Sequence, residues 1–458
     1  MNNQTFSSLP LSPEQLKNLE SLGYHTMTDI QAQSLPAVLT GEDVLAQAKT
    51  GSGKTAAFGL GVLQQLKVGL SKTQALVLCP TRELAEQVSQ ELRRLARAIA
   101  NTKIITLCGG TPMARQLASL THAPHIVVGT PGRLLKHLEK QTLDLSQLNV
   151  LVLDEADRML DMGFYDDINA IIQQLPIKRQ TLLFSATYPE QIQTISQRIQ
   201  HNPVQVQVDT QQQERNIEQQ FYQTEKKLDT VFALLNQHQP ASCIIFCNRK
   251  QQCRDVADAL NRQGAYALTL QGDMEQPERD KALLLFSNQS CSILVATDVA
   301  ARGLDIKELP LVISYELPHD AEVHVHRIGR TGRAGQKGLA VSLVSETEIK
   351  KIAAIEQYQS INIQLQSASA ISSTQPKAIK PAMITLELQA GKKDKLRPGD
   401  IVGALTATKQ LSGDDIGNIN IAHRNAYVAV KRDTIQTALE LLNNGKIKGR
   451  RIKTRRIS

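Results

Sequence analysis

The run Val44-Leu45-Ala46 leads, across Gln47, into Ala48-Lys49-Thr50-Gly51-Ser52-Gly53-Lys54-Thr55, a glycine-rich loop closed by lysine and threonine. Such a segment suits a buried strand that hands the chain to a helix across a tight turn. The glycines let backbone N–H groups wrap phosphates, Lys54 reaches the β- and γ-phosphates of a nucleotide, and the Thr55 hydroxyl suits Mg²⁺. A second apolar run, Leu151-Val152-Leu153, ends in Asp154-Glu155-Ala156-Asp157. Asp154 supplies charge to hold the metal, and Glu155 can orient or deprotonate an attacking water. Acidic strings alone usually mark solvated helix ends. In this order, each after an apolar run, the two segments imply hydrolysis of ATP or GTP.

The same alternation continues along the chain. Residues 75–78, 126–128, 151–153 and 181–184 read as buried parallel strands, and stretches such as 83–99 carry apolar residues at helical spacing. A second series follows at 244–246, 267–270, 292–295 and 311–313. Two successive doubly wound α/β domains fit this pattern, and ligands of such folds sit at the carboxyl ends of the strands. A length of 458 residues exceeds what one core supports, and 41% hydrophobic content describes an ordinary globular chain. No apolar run is long enough to span a bilayer, and the first residues lack a secretory pattern, so a cytoplasmic protein is expected. The six cysteines form no C-x₂-C pair, and Cys243 and Cys247 read as buried reduced thiols in a strand-like stretch.

Charge is unevenly placed. Residues 376–458 hold ten Lys and seven Arg against seven acidic residues, a net +10, which leaves −2 for the rest of a chain of net +8. A near-neutral body joined to a basic end suggests a polyanionic partner for that end. Residues 383–388, 416–421, 426–430 and 451–457 read as strands and 399–407 and 434–443 as helices. That is the βαββαβ order of an RNA-recognition motif, a small α+β domain. Such motifs usually stack bases on sheet aromatics. Here Tyr427 is the one aromatic within 423–430, and 384–388 has none. RNA recognition is therefore expected around the edges, through Lys392, Lys393, Arg397, Lys446, Lys448 and Arg450.

Further loaded segments fall after the strands: Pro80-Thr81-Arg82-Glu83, Thr130-Pro131-Gly132-Arg133, Ser185-Ala186-Thr187, Arg302-Gly303-Leu304-Asp305 and His326-Arg327-Ile328-Gly329-Arg330-Thr331-Gly332-Arg333. With Gln31 and the pair Gly109-Gly110, this set resembles the full motif series of the DEAD-box RNA helicases across residues 6–345. The basic end resembles the RNA-binding domain of the DbpA group within that family. The resemblance implies two tandem RecA-like domains, 1–208 and 217–365, joined by 209–216. A flexible tether, 366–380, would then lead to an RRM-like domain, 381–458.

Carried over to these residues, the resemblance implies ATP as substrate. Gln31 would meet the adenine edge with Phe6 and Tyr24 nearby, Gly303 and Asp305 the ribose side, and residues Ala48 to Thr55 (with Lys49, Thr50, Gly51, Ser52, Gly53 and Lys54 between) the phosphates. Thr55 and Asp154 would hold Mg²⁺, and Lys54, Glu155, Arg330 and Arg333 would carry the chemistry. Asp157, Ser185, Thr187 and His326 would link hydrolysis to domain closure. One RNA strand would be held by Pro80, Thr81, Arg82, Gly110, Thr130, Arg133, Gly272, Gln276, Arg279 and Thr297, mostly through its backbone. The group's partners would be a 23S ribosomal RNA hairpin and precursors of the large (50S) subunit, bound without a membrane by a monomer. An RNA clamp gated by ATP, without productive unwinding, is the alternative.

Overall fold

The computed structural model describes residues 4–48, 51–188, 190–208, 217–301, 309–332, 337–371 and 380–457. The chain divides into two compact units.

The first unit is built on seven parallel strands: β1 (Val44–Gln47), β2 (Ala75–Leu78), β3 (Ile104–Leu107), β4 (Ile126–Gly129), β5 (Val150–Asp154), β6 (Gln180–Ser185) and β7 (Val204–Gln207), in the order β3-β4-β2-β5-β6-β1-β7. Both faces are covered, so the central strands are apolar throughout rather than alternating. Successive residues nonetheless serve opposite faces. Val77, Val152 and Phe184 pack with Phe58 and Leu92 on one side. Leu76, Leu151 and Leu183 pack with Leu134 and Met159 on the other. Functional side chains gather past the carboxyl ends of β1, β2, β4, β5 and β6, where the crossovers leave open crevices.

The second unit repeats this plan with β8 (Ile217–Gln223), β9 (Cys243–Phe246), β10 (Ala267–Leu270), β11 (Ile293–Ala296), β12 (Leu311–Ser314), β13 (Gly338–Val344) and β14 (Leu365–Ser367), in the order β10-β11-β9-β12-β13-β8-β14, again all parallel. The tether expected from residue 366 must be corrected at its start. Residues 365–367 pair with β8 as an edge strand, and Ile371 is buried in the core around Val231 and Leu343. The remainder of the tether to 379, and the expected linker 209–216, lie outside the described residues.

Beyond it come β15 (Met383–Leu388), β16 (Ile416–Ile421), β17 (Ala426–Lys431) and β18 (Thr454–Arg456), an antiparallel sheet in the order β16-β17-β15-β18. The helices Pro398–Thr406 and Ile435–Asn444 close one face over Leu386, Leu388, Val428 and Val430. By strand alternation the other face presents Thr385, Glu387, Tyr427 and Ala429. Part of that face is covered by the second unit's own parallel-sheet body. Thr385 is 0% exposed, its hydroxyl accepts from Asn288 Nδ2 at 3.2 Å, and it lies 2.7 Å from Ser290 Oγ. The Met383 amide donates to the Gln289 carbonyl, Asn418 donates to the Ser287 carbonyl, and Arg432 lies 5.2 Å from the Tyr266 ring centre. The small domain is seated on residues 287–291 as well as tethered.

Candidate functional site

The phosphate loop is shaped by its neighbours. Gly53 caps the helix Lys54–Gln64 with φ of +93°, and a Cβ there would stand 2.5 Å from Gln31 Nε2. Gln31 donates to the Gly53 carbonyl at 3.1 Å and accepts from the Thr28 amide at 2.9 Å, while the Thr28 hydroxyl donates to the Ser52 carbonyl at 2.7 Å. Gln31 is thus a strut between the cap of the helix Asp29–Thr40 and the loop. Asp29 stands at the first turn of that helix, where an acidic residue suits the positive helix end. Phe6 is buried and meets Tyr24 edge-on at 5.9 Å, and the Tyr24 hydroxyl donates to Glu91. Ala48 is fixed by its amide on the Ser185 carbonyl. Gly51, Ser52 and Thr55 complete the described loop; Lys49 and Thr50 lie outside the described residues.

Inside the loop, Lys54 Nζ and Asp154 Oδ1 are buried without a hydrogen-bond partner among the described residues. Burial pushes the Asp154 carboxyl up to about 6, with the Lys54 charge opposing the shift and Glu155 adding to it. A buried ammonium and a buried carboxylate oxygen, both unbonded, are costly unless a ligand engages them. A triphosphate and a divalent cation fit that demand.

Glu155 takes a left-handed backbone, φ +52°, and its carboxylate accepts from Arg158 at 2.7 Å, both side chains being almost wholly buried. Asp157 Oδ2 accepts from the Ala186 and Thr187 amides and from the Thr187 hydroxyl at 2.9–3.0 Å, while its own amide donates to Ser185 Oγ at 3.3 Å. The acidic segment and the end of β6 are therefore laced into one network.

On the neighbouring crevice, Thr81 caps the helix Arg82–Leu95, with Pro80 buried before it. The Arg82 guanidinium lies on the Gly109-Gly110 turn so closely that a Cβ on Gly110 would overlap it, and Gly110 has φ of +75°. Thr130 and Arg133 follow β4, and Arg133 donates to the Thr111 carbonyl at 2.9 Å. Sequence reasoning had grouped these residues, and the fold brings them together.

In the second unit, Thr297 follows β11 and Gly272 follows β10, with Gln276 and Arg279 in the first turn of the helix Gln276–Ser287. His326 and the buried Arg330 belong to the helix Ala321–Ile328 and the turn after it. Gly303, Asp305 and Arg333 lie outside the described residues. Arg327, within the segment 326–333, has a role that its sequence did not assign. It is 1% exposed, binds Asp298 in fork geometry at 2.7 Å twice, and reaches Asn248 Oδ1 and the Glu316 carbonyl. Its position beside His326 was the available signal. It ties together the ends of β9, β11 and β12.

Six basic residues of the small domain lie on loops that are stitched together. Lys392 and Lys393 form a turn whose amides donate to the Ala422 and His423 carbonyls. Lys448 reaches Asp400 at 3.0 Å and the Lys395 carbonyl at 2.6 Å. The loop with Lys446, Lys448 and Arg450 is thus drawn against the one with Arg397, and all six expected RNA contacts are exposed. On the sheet, Tyr427 and Asn425 bond Glu387, which Arg455 neutralises at 2.7 Å. A buried carboxylate therefore stands where a base platform would have to be.

Family comparisons agree with this arrangement. Residues 28–195 match the DEAD/DEAH box helicase model, 226–335 the helicase conserved C-terminal domain, and 385–456 the DbpA RNA binding domain. The structure resembles yeast (S. cerevisiae) Dbp5 bound to RNA and ADP BeF3, with a TM-score of 0.72 at 30% identity over 80% of this chain and 96% of that one. The chain belongs to the DEAD/DEAH box helicases and is an enzyme, an ATP-dependent RNA helicase. Within that family it is of the DbpA type. It is 55% identical to the ATP-dependent RNA helicase DbpA of Escherichia coli (strain K12) over 98% of this chain and 99% of that one, and 38% identical to the Bacillus subtilis (strain 168) protein of that name over 98% of each.

Proposed function

We propose that this helicase remodels 23S ribosomal RNA during assembly of the 50S subunit, addressed there by its C-terminal domain, which binds an rRNA hairpin. The reading takes it as a cytoplasmic monomer using ATP with Mg²⁺. The observation that carries it is the convergence of Lys392, Lys393, Arg397, Lys446, Lys448 and Arg450 on loops of the small domain that are stitched together. A hairpin offers phosphates from two strands and suits a compact basic surface better than a stacking sheet.

In this mechanism the backbone amides from Gly51 to Thr55 and Lys54 hold the β- and γ-phosphates. Thr55 and Asp154 would hold Mg²⁺, which would supply neutralisation of the phosphate charge. Glu155 orients the attacking water, and Arg330 and Arg333 act on the transferring phosphoryl group, where an arginine is worth about 10³–10⁵ in rate. Gln31, Phe6 and Tyr24 select adenine, and Gly303 and Asp305 meet the ribose. Asp157, Ser185, Thr187 and His326 make hydrolysis depend on RNA. One strand is gripped by Pro80, Thr81, Arg82, Gly110, Thr130 and Arg133, and by Gly272, Gln276, Arg279 and Thr297. Bending that strand opens a few base pairs at roughly 1.4 kcal/mol per step, taking the DNA stacking average.

The deciding experiment neutralises Lys446, Lys448 and Arg450 to glutamine and measures ATPase stimulation by 23S fragments and by generic RNA. Preference for one fragment should vanish, generic stimulation should persist, and the salt slope of hairpin binding should fall by roughly 0.7–0.9 per lost phosphate contact. An unchanged fragment preference would sink the addressing role.

A further inference from the structure

One buried amide stands behind the first unit's expected RNA contacts. Gln116, in the helix Met113–Leu120, is 4% exposed. Its Nε2 donates to the Cys108 carbonyl at 2.8 Å, two residues before Gly110. Its Oε1 accepts twice, from Arg133 Nη1 at 2.8 Å and from His137 Nε2 at 2.9 Å. With the amide nitrogen committed to Cys108, that oxygen only accepts, so His137 carries its proton on Nε2. Burial, helped by Arg133 and Lys140, holds His137 below its ordinary value, as a neutral ring requires. The ring's Nδ1 rests on Thr142 Oγ1 at 2.8 Å.

The consequence for Arg133 is geometric. Both hydrogens of Nη1 are taken inside the protein, one by Gln116 and one by the Thr111 carbonyl. Its Nη2 and Nε have no bond among the described residues, so the guanidinium is anchored by one nitrogen and presents the others. Planar donors held in this way suit phosphate oxygens.

We propose that Gln116 is the positioning residue of the first unit's RNA grip, aiming Arg133 at a backbone phosphate and setting, through Cys108, the turn that carries Gly110. The inference rests on the proposed RNA contacts of Arg133 and Gly110. His137 supports Gln116 from behind and touches no RNA.

The test measures binding of single-stranded oligouridylate by the full chain with a non-hydrolysable ATP analogue, across a salt series. Arg133→Ala should weaken binding and lower the salt slope by about 0.7, one single-strand phosphate contact. Gln116→Met removes no charge and keeps the side chain's length, yet it should lower the slope by a similar amount. It should weaken binding about 5- to 10-fold, leave the ATP KM within about twofold, and lower the salt slope no further in the Arg133→Ala background, where only the smaller effect through the Gly110 turn remains. Should Gln116→Met not fold, Gln116→Asn withdraws the same group by one methylene and is read in the same way. A parent salt slope in the Gln116 variant overturns the proposal, whether or not affinity falls. Parent binding by Arg133→Ala instead removes the underlying contact.

Discussion

Lys54 is a charge that the fold does not satisfy by itself. Its ammonium is buried without a hydrogen bond among the described residues, and the Asp154 Oδ1 oxygen shares that condition. Lys54→Met is therefore expected to abolish ATPase activity while leaving ligand-free stability unchanged or raised by about 1–2 kcal/mol. Thermal melts with and without ATP and Mg²⁺ check this, and the nucleotide-induced shift should disappear. Gly110→Ala acts the other way. It forces a side chain into φ of +75° against Arg82. It should cost about 1–2 kcal/mol and abolish RNA stimulation while unstimulated turnover persists, as steady-state ATPase assays would report. The charged loop residues could be found in the chain because phosphate chemistry demands particular residues in a fixed order. Gln116 and Arg327 could not be singled out that way. A glutamine on an amphipathic helix carries no pattern, and Arg327 becomes a strut only when Asp298, 29 positions earlier, is brought to it.

At the scale of elements, the strands were legible because parallel sheets bury both faces and leave unbroken apolar runs. Residues 383–388 and 416–421 matched the observed strands, and the helices shifted by about one residue at their ends. What covers a sheet was not legible, because Thr385 in an apolar run looks like any core threonine. Its hydroxyl serves Asn288 and Ser290 instead. Thr385→Val should leave the small domain folded and cost about 1–3 kcal/mol at its seat, since Asn288 Nδ2 loses its acceptor while Asn288 Oδ1 already lacks a partner. Faster hydrogen exchange at 287–291 is the expected signature. Edge strand β14 escaped notice for a related reason. Leu365-Gln366-Ser367 is exposed throughout, and its last two residues read as tether until β8 is beside them.

For the whole molecule, the buried His324 ring is one source of acid sensitivity. Burial pushes His324 down to about 3, with Arg327 adding, and its Nδ1 has no partner among the described residues while Nε2 meets Gln219. The unfolded chain takes a proton near the ordinary 6.5 and the folded one does not. Stability is therefore fully present above 6.5 and is lost as pH falls toward 3, at up to about 1.4 kcal/mol per pH unit. His324→Gln should flatten the drop in urea midpoint between pH 7 and pH 5. The charge asymmetry, −2 on the body and +10 on the last 83 residues, was readable from composition; which face those cations occupy required the fold.

The seat of the small domain also limits how this chain can be re-engineered. A chimera that exchanges residues 381–458 for an unrelated RNA-binding fold would lose the bonds that Met383, Thr385 and Asn418 make to the body. Ser287 to Ser290 would be left without these partners, and nothing in the new module would fix its orientation. Retargeting therefore calls for exchanging the loops that carry Lys392 to Arg397 and Lys446 to Arg450 while keeping Met383, Thr385 and Asn418, so that the aim of the module survives the change of address.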